Sequence, residues 1–167
     1  MSDEKEKKQE NHKETKNEQK TSLVGKVAVI GFAGGIFWGL LAYLVYILNL
    51  TEISPNLILQ PFILGQWKNG IMGNIIGIIV LGILSIGAAF VYYVLLKRFK
   101  SMYVGILFGL LLFGLVFFVL NPIFPNLKSV AELQRSTIVT TVCIYILYGL
   151  FVGYSISFEY NELNIER

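Results

Sequence analysis

Four long apolar segments, separated by shorter polar ones, dominate the pattern of hydrophobic positions along the chain. Runs without a charged residue cover residues 27–51, 69–96, 101–127 and 136–158, and they are 25, 28, 27 and 23 residues long. Each run exceeds the roughly 20 apolar residues that a helix needs to cross a hydrocarbon core of about 30 Å. The pattern therefore predicts an all-α, polytopic membrane protein with four transmembrane helices, at about residues 27–48, 71–96, 102–120 and 137–158.

The charged residues concentrate in the N-terminal segment. Residues 1–26 carry seven Lys and six acidic residues, 13 of the 25 charged residues in the chain. Between Met1 and Leu23 there is no aliphatic or aromatic side chain, so this segment cannot bury enough apolar surface to offset its chain entropy. We expect a disordered cytoplasmic tail at residues 1–26, a transmembrane domain at residues 27–160, and a short cytoplasmic end at residues 161–167. The first apolar run is too long for the core of a cleavable signal peptide, and no cleavage motif follows it.

Lys and Arg are distributed unevenly between the two sides of the predicted bundle. The side with the termini carries eleven of them, including Lys97, Arg98 and Lys100 of the middle loop, and the other side carries three, Lys68, Lys128 and Arg135. Because cytoplasmic loops are enriched in Lys and Arg, both termini are predicted to lie in the cytoplasm. The abundance of Lys, Asn and Ile favours a bacterial source, and hence the bacterial cytoplasmic membrane.

All four prolines lie in the two predicted outer loops, at Pro55, Pro61, Pro122 and Pro125. A proline inside a span removes a hydrogen bond that lipid cannot replace. The helices are therefore expected to be continuous. Continuity counts against a transporter whose substrate site is built from broken helices.

An internal repeat appears when the chain is compared with itself at an offset of 70 residues. Residues 35–57 and 105–127 are identical at 10 of 23 positions, including a Gly-x-x-x-Gly pair and the motif Ile-x-Pro-Asn-Leu after it. In the second half of each unit, Gly82 corresponds to Gly149 after a three-residue shift. The repeat predicts a duplicated helical hairpin whose copies are related by a twofold axis near the membrane normal.

Glycines four residues apart occur in every predicted span. Such pairs lie on one helix face and let two backbones approach closely, which matters in lipid because apolar side chains gain little from contact with one another. The predicted packing residues are Gly31, Gly35, Gly39, Gly73, Gly77, Gly105, Gly109, Gly149 and Gly153. Packing within one chain is the favoured interpretation, and contact in an oligomer is the alternative.

The spans contain no charged residue and no histidine that could serve catalysis or metal binding. No Asp, Glu, Lys, Arg or His occurs in them before Glu159 at the boundary, and the single cysteine, Cys143, lies within the fourth span. Such a chain has no proton relay, no histidine metal cluster and no activated nucleophile. We expect no enzymatic activity, no cofactor, no metal and no nucleic-acid partner. Apart from the lipid bilayer, the expected partner is another membrane protein or a second copy.

Outside the N-terminal segment, polar groups concentrate in the two outer loops. Ser54 followed by Pro55 indicates a helix start, and Ser129 with Glu132 has the spacing of a capping box that would begin the last helix. Trp67 would anchor the first loop in the membrane interface. Capped turns are the favoured interpretation of these polar residues. The alternative is an outer-face interaction surface formed by Glu52, Asn56, Asn126, Glu132 and Arg135.

The loop motifs TEISPN and NPIFPN, together with the closing segment YILYGLFVGYSISFEY, resemble the YqhR family of small membrane proteins from Bacillus and its relatives. The resemblance covers roughly residues 26–160. It implies a multi-pass bacterial membrane protein of a family whose function is uncharacterised, and it supplies no catalytic or ligand-binding residue.

Two functions are compatible with these patterns. The favoured one is a non-enzymatic interaction, assembly or scaffold subunit, because the spans are charge-free and the polar loops lie on one face. The alternative is a transporter of small solutes or lipids that acts as an oligomer, because duplicated hairpins are common in transporters. A polar cavity that reaches the membrane midplane would favour the transporter, and a filled core would favour the subunit.

Overall fold

Four long helices form the part of the chain that the structure describes. A computed structural model describes the backbone of residues 2–61, 70–96, 101–124 and 130–165, and within these ranges the side chains from Leu23 to Glu162 except Asn121. The helices are α1 (Ser2–Ile47), α2 (Ile71–Leu96), α3 (Met102–Gly114, continued by a π-helical turn at Leu115–Val119) and α4 (Arg135–Ile165). Short 3-10 helices lie at Pro55–Leu59 and Asn121–Ile123, and no strand occurs in the described ranges.

The predicted fold class is confirmed. Four helical segments are long and apolar enough to cross a membrane, at Leu23–Ile47, Ile71–Leu96, Met102–Val119 and Arg135–Glu162, and their mean hydropathy lies between 1.8 and 2.6. We call the end of the bundle that holds Lys26 and Glu159 the terminal end. The opposite end, which holds residues 48–61, 120–124 and 130–134, is called the loop end.

The described backbone of the N-terminal segment is helical, because α1 begins at Ser2. The disorder expected for residues 1–26 stays a prediction. The segment consists largely of Lys, Glu and Gln, which are good helix formers, and neither Gly nor Pro interrupts it before Gly25. Since the membrane-spanning part of α1 already supplies the first helical turns, extension avoids the costly nucleation step.

The helices pair as two hairpins. α1 packs along α2, α3 packs along α4, and α4 also contacts both α1 and α2. One core cluster lies toward the terminal end and joins all four helices: Val27, Ala89, Tyr92, Phe108, Tyr148, Val152 and Ile156. A second cluster at the loop end is built around Phe117, Phe124 and Leu133. Tyr92 and Phe108 meet edge to face, with ring centroids 5.0 Å apart.

The first loop has the helix start that its sequence predicts. α1 ends at Ile47 in a Schellman motif, in which Leu50 N–H donates to Val45 O (2.9 Å) and Asn49 adopts a left-handed φ of 57°. Ser54 then has extended backbone angles, and Pro55 occupies the first position of the 3-10 helix. The Ser54–Pro55 start is thereby confirmed. Trp67 lies outside the described residues.

The beginning of α4 differs from the sequence-based expectation. The capping box predicted a helix from Ser129, which lies outside the described residues, but Val130–Leu133 form a turn and α4 begins at Arg135. The Ile138 N–H donates to Gln134 O at 3.1 Å, so Gln134 precedes the first helical residue. The turn buries Leu133, which is 8% exposed, in the loop-end cluster. This tertiary contact outweighs the local capping preference.

α3 is continuous, but its pitch changes near the loop end. Residues Leu115–Val119 form a π-helical turn, closed by a hydrogen bond from Leu120 N–H to Leu115 O (3.0 Å). The wider turn accompanies burial of Phe117, whose ring stacks on Phe113 with centroids 4.6 Å apart. The lack of proline in the third span is consistent with a continuous helix, but it does not determine whether each turn is α-helical or π-helical.

Candidate functional site

The first hairpin is held together by glycines of α1 that face α2. A methyl group at Gly35 would lie 2.7 Å from Gly82 Cα, and one at Gly31 would lie 2.9 Å from Ile86 Cα. At Gly39 it would meet the Ile78 side chain at 3.2 Å. Because real Cβ atoms do not approach other atoms as closely as at Gly31 and Gly35, the helix spacing there depends on the missing side chains.

The second hairpin repeats this arrangement. A methyl group at Gly105 would lie 3.0 Å from Gly149 O, and one at Gly109 would overlap the backbone of Tyr145 and Ile146. Gly35 therefore faces Gly82 as Gly105 faces Gly149. In sequence, Gly149 corresponds to Gly82 only after a shift of three residues, and the same two glycines face equivalent partners in the structure.

The other predicted packing glycines have different neighbours. Gly153 lies between α3 and Tyr92, whose hydroxyl oxygen would be 3.0 Å from an added Cβ. Gly77 contacts the backbone of Pro55 in the first loop rather than another helix. Gly73 is buried near the same end of α2.

Contacts between the hairpins depart from the predicted twofold relation. α1 approaches α4 closely at Gly34, where an added Cβ would lie 3.1 Å from the Phe151 ring. The repeat-related residue in α3 is Val104, and α3 meets α2 through the bulky pair Tyr92 and Phe108. Gly34 was absent from the predicted packing set because no other glycine lies four residues away. The second copy has Val104 at the equivalent position, where a β-branched side chain leaves less room for a close approach of backbones.

A buried chain of hydrogen bonds connects three helices within the membrane-spanning region. The Ser85 hydroxyl donates to Gly31 O at 2.6 Å, and the Tyr148 hydroxyl lies 2.5 Å from Ser85 Oγ. Ser85 and Tyr148 are 7% and 8% exposed. Since Ser85 Oγ donates its proton to Gly31, the proton between Ser85 and Tyr148 comes from the tyrosine. Both hydroxyl groups are satisfied, so the arrangement is suited to joining helices rather than to activating a nucleophile.

Trp38 and Phe108 occupy equivalent repeat positions. Phe108 belongs to the first core cluster, and Trp38 packs against it. Phe108 is buried, whereas Trp38 is partly buried and contacts Phe37 edge to face with centroids 5.3 Å apart. The buried Trp38 Nε1 has no hydrogen-bond partner among the described residues.

A polar cluster at the loop end ties the first loop to α2. Asn74 is 5% exposed, accepts a hydrogen bond from Asn56 N–H at 3.3 Å and donates to Gly70 O at 3.2 Å. The Ser54 hydroxyl bonds the Asn56 side chain. Asn56, which we predicted as part of an outer interaction surface, is therefore buried and structural.

The remaining members of that predicted surface are placed differently. Glu52, Glu132 and Arg135 are exposed at the loop end, and Asn126 lies outside the described residues. Glu52 N–H donates to the hydroxyl of the fully buried Thr137 at 3.1 Å, which fixes the first loop beside the start of α4. The three exposed charged residues thus lie at one end of the bundle.

An ion pair at the terminal end was missed by sequence reasoning. Lys26 Nζ and Glu159 Oε2 are 2.6 Å apart although the residues are 133 positions apart in sequence. Lys26 directly precedes the first uncharged run, and Glu159 directly follows the fourth. Both positions lie on the same predicted side of the membrane, and this is the one sequence signal that could have suggested the pair.

The described residues contain no group of three His, Cys, Asp or Glu side chains that could hold a metal ion. Cys143 is a free thiol on the exposed face of α4.

The similarity of this chain to known proteins agrees with a bundle of apolar helices. The family described as "Conserved membrane protein YqhR" matches residues 5–167. This chain belongs to the YqhR family. "Uncharacterized protein YqhR" from Bacillus subtilis (strain 168) is 56% identical over 167 residues, which cover 100% of this chain and 94% of that protein. The YqhR match extends beyond the residues 26–160 that carry the sequence resemblance. No solved structure matches the chain.

Proposed function

We propose that this protein is a non-enzymatic interaction or assembly subunit of a bacterial cytoplasmic membrane, with both termini in the cytoplasm. The observation that carries this proposal is the filled centre of the bundle. Apolar side chains fill the space between the helices, and glycines bring the backbones into contact where no side chain intervenes. The hydroxyl groups of Ser85 and Tyr148 are hydrogen-bonded to each other there. Within the part of the chain that the structure describes, this interior supports helix packing better than passage of a polar solute or chemistry on a substrate.

The surface favoured for a partner lies at the loop end around the start of α4. Glu52, Glu132 and Arg135 are exposed there, and the hydrogen bond from Glu52 N–H to Thr137 Oγ1 holds the first loop against this helix. A surface of mixed charge on a fixed backbone supports recognition of a protein with the complementary arrangement.

The orientation is supported by the excess of Lys and Arg at the terminal end. On this basis the loop end faces outward, so the proposed partner is another membrane protein with an exposed outer segment.

Affinity purification in a mild detergent, followed by mass spectrometry, tests the proposed function. The wild-type chain is compared with a variant that exchanges two charges, Glu132→Arg with Arg135→Glu. The exchange preserves net charge and the charge balance across the membrane. The matched control exchanges the pair at the other end, Lys26→Glu with Glu159→Lys.

We expect one stoichiometric partner with the wild type and the control, and a loss of at least fivefold with the loop-end exchange. Purification of the wild type without any stoichiometric membrane protein would contradict the proposal. Equal recovery from all three chains would refute the loop-end surface.

The second candidate is an oligomeric transporter of small solutes or lipids. The glycine pairing that recurs in both hairpins favours it, because duplicated hairpins are common in transporters. Flux of labelled solutes into vesicles that contain the purified chain distinguishes the two functions, and we expect flux equal to that of protein-free vesicles.

A further inference from the structure

We infer that the groove between α3 and α4 at the terminal end binds one phospholipid whose headgroup carries an ammonium ion. The groove has a volume of about 770 Å³. This volume falls within the range of about 300–1,000 Å³ that is usual for sites of small ligands. It opens on the outer surface of the bundle, where lipid reaches it directly.

The two helices themselves shape the groove. An added Cβ at Gly153 would lie 3.2 Å from Gly105 Cα, so the backbones of α4 and α3 form the floor. Phe151, Tyr154 and Phe158 line the α4 side, and Met102 lines the α3 side. Tyr154, whose ring stacks on Phe158, and Met102 are 71% and 72% exposed, so the outer faces of these walls are open within the described part of the chain.

The lining changes character along the groove. Its deep part is apolar and glycine-lined, whereas Ser101, Ser157, Asn161 and Glu162 gather at the terminal end. A phospholipid has the same gradient, with an apolar chain toward the midplane and a polar group at the boundary.

The length of the groove distinguishes a lipid from a transmembrane helix. Leu150 and Glu162 mark its two ends and lie twelve positions apart on α4, about 18 Å along the axis. This is close to one leaflet, half of a core of about 30 Å. Beyond Leu150 the helices close, since Gly109 contacts the backbone of Tyr145 and Ile146. A helix lying along this groove would extend past it into the other leaflet, whereas one phospholipid matches its length.

The charge at the boundary identifies the headgroup class. Glu162 is the single charged residue in the described lining, and it is exposed. The Glu162 carboxylate attracts an ammonium group, and Lys100, which precedes Ser101 in sequence, lies on the predicted side that suits the phosphate of either headgroup. Phosphatidylethanolamine supplies both charges, whereas phosphatidylglycerol has no group that pairs with Glu162, so phosphatidylethanolamine is preferred.

Native mass spectrometry of the full chain in detergent tests the inference. The protein is mixed with equal amounts of phosphatidylethanolamine and phosphatidylglycerol that carry the same acyl chains. We expect one retained phosphatidylethanolamine and at least fivefold less retained phosphatidylglycerol. Glu162→Gln should reduce this preference to about one. Met102→Trp should fill the groove and lower total retention at least fivefold.

Tyr103→Trp is the matched control, because Tyr103 is the adjacent residue, is 81% exposed and does not line the groove. It should behave as the wild type. Equal retention of both lipids by the wild type, or equal losses in the Met102 and Tyr103 variants, would overturn the inference. A dimer that appears in place of the lipid-bound monomer would also overturn it, because a second copy would then occupy the groove.

Discussion

Lys26 at the start of the first span and Glu159 near the end of the fourth form an ion pair, with 2.6 Å between Nζ and Oε2. The pair joins α1 to α4 at the terminal end, on the side of the bundle where Gly34 also brings these helices together. Together the two contacts connect the hairpins at the boundary and within the membrane.

Disruption of this ion pair should have a small effect on stability. The Lys26 and Glu159 side chains are 45% and 24% exposed, so solvent screens the attraction. We expect Glu159→Gln to lower the free energy of unfolding by about 0.2–1 kcal/mol, the range of exposed pairs. A double-mutant cycle with Lys26→Gln in detergent measures the coupling, which should fall as salt is added. Coupling that is unchanged in high salt would contradict this view of the pair.

The glycine contacts should differ in their tolerance of a side chain. Gly109→Ala places a methyl group against the α4 backbone and should cost about 1–3 kcal/mol, the range of overpacking. Gly39→Ala should cost less, because its neighbour is the Ile78 side chain, which can move.

Gly87→Ala is the control, since nothing lies within 4 Å of an added Cβ. It should be neutral or stabilising by about 0.5–1 kcal/mol through helix propensity. Unfolding in mixed detergent micelles measures all three variants. If Gly109→Ala and Gly87→Ala behaved alike, the close approach of α3 and α4 would be refuted.

Loss of the Tyr148 hydroxyl should weaken the connection among α1, α2 and α4. Tyr148→Phe removes the donor to Ser85 Oγ but keeps the ring, and we expect a cost of about 0.6–1.7 kcal/mol, as for hydrogen bonds between membrane helices. Tyr154→Phe is the matched control, because Tyr154 is 71% exposed on the same helix, and it should cost less than about 0.5 kcal/mol. Equal effects of the two variants would argue against the buried hydrogen bond.

The proposed orientation predicts which side of the membrane single cysteines occupy. In a Cys143→Ser background, cysteines at Asn69 and Lys128 should react with an impermeant thiol reagent in whole cells, whereas a cysteine at Ser101 should react only after lysis. Labelling of Ser101 alone in intact cells would invert the topology.

Local sequence properties determined the number and type of the helices. A span depends on the apolar character of about 20 consecutive residues, and the chain carries that information directly. The predicted span at residues 71–96 coincides with α2 because the charged residues Lys68 and Lys97 lie close to its ends. Pro55 likewise defines a helix start, because its fixed φ is a property of the residue itself.

The local signals were less informative where two preferences competed. The lack of apolar residues before Leu23 predicts disorder, whereas the helix propensity of the same residues favours continuation of α1, which begins at Ser2. The spacing of Ser129 and Glu132 predicted a helix start, but burial of Leu133 delays α4 to Arg135. In each case the sequence contained both signals and did not show which free energy was larger.

The sequence by itself determined that this protein has four apolar helices, a repeated hairpin and small residues at helical spacing. The tertiary structure decided which faces meet: that Gly34 contacts Phe151, that Asn56 is buried beside Asn74, and that Lys26 reaches Glu159. The physical reason is that hydropathy and helix propensity act over one or a few turns. Contacts between residues far apart in sequence depend on how all four helices fit together.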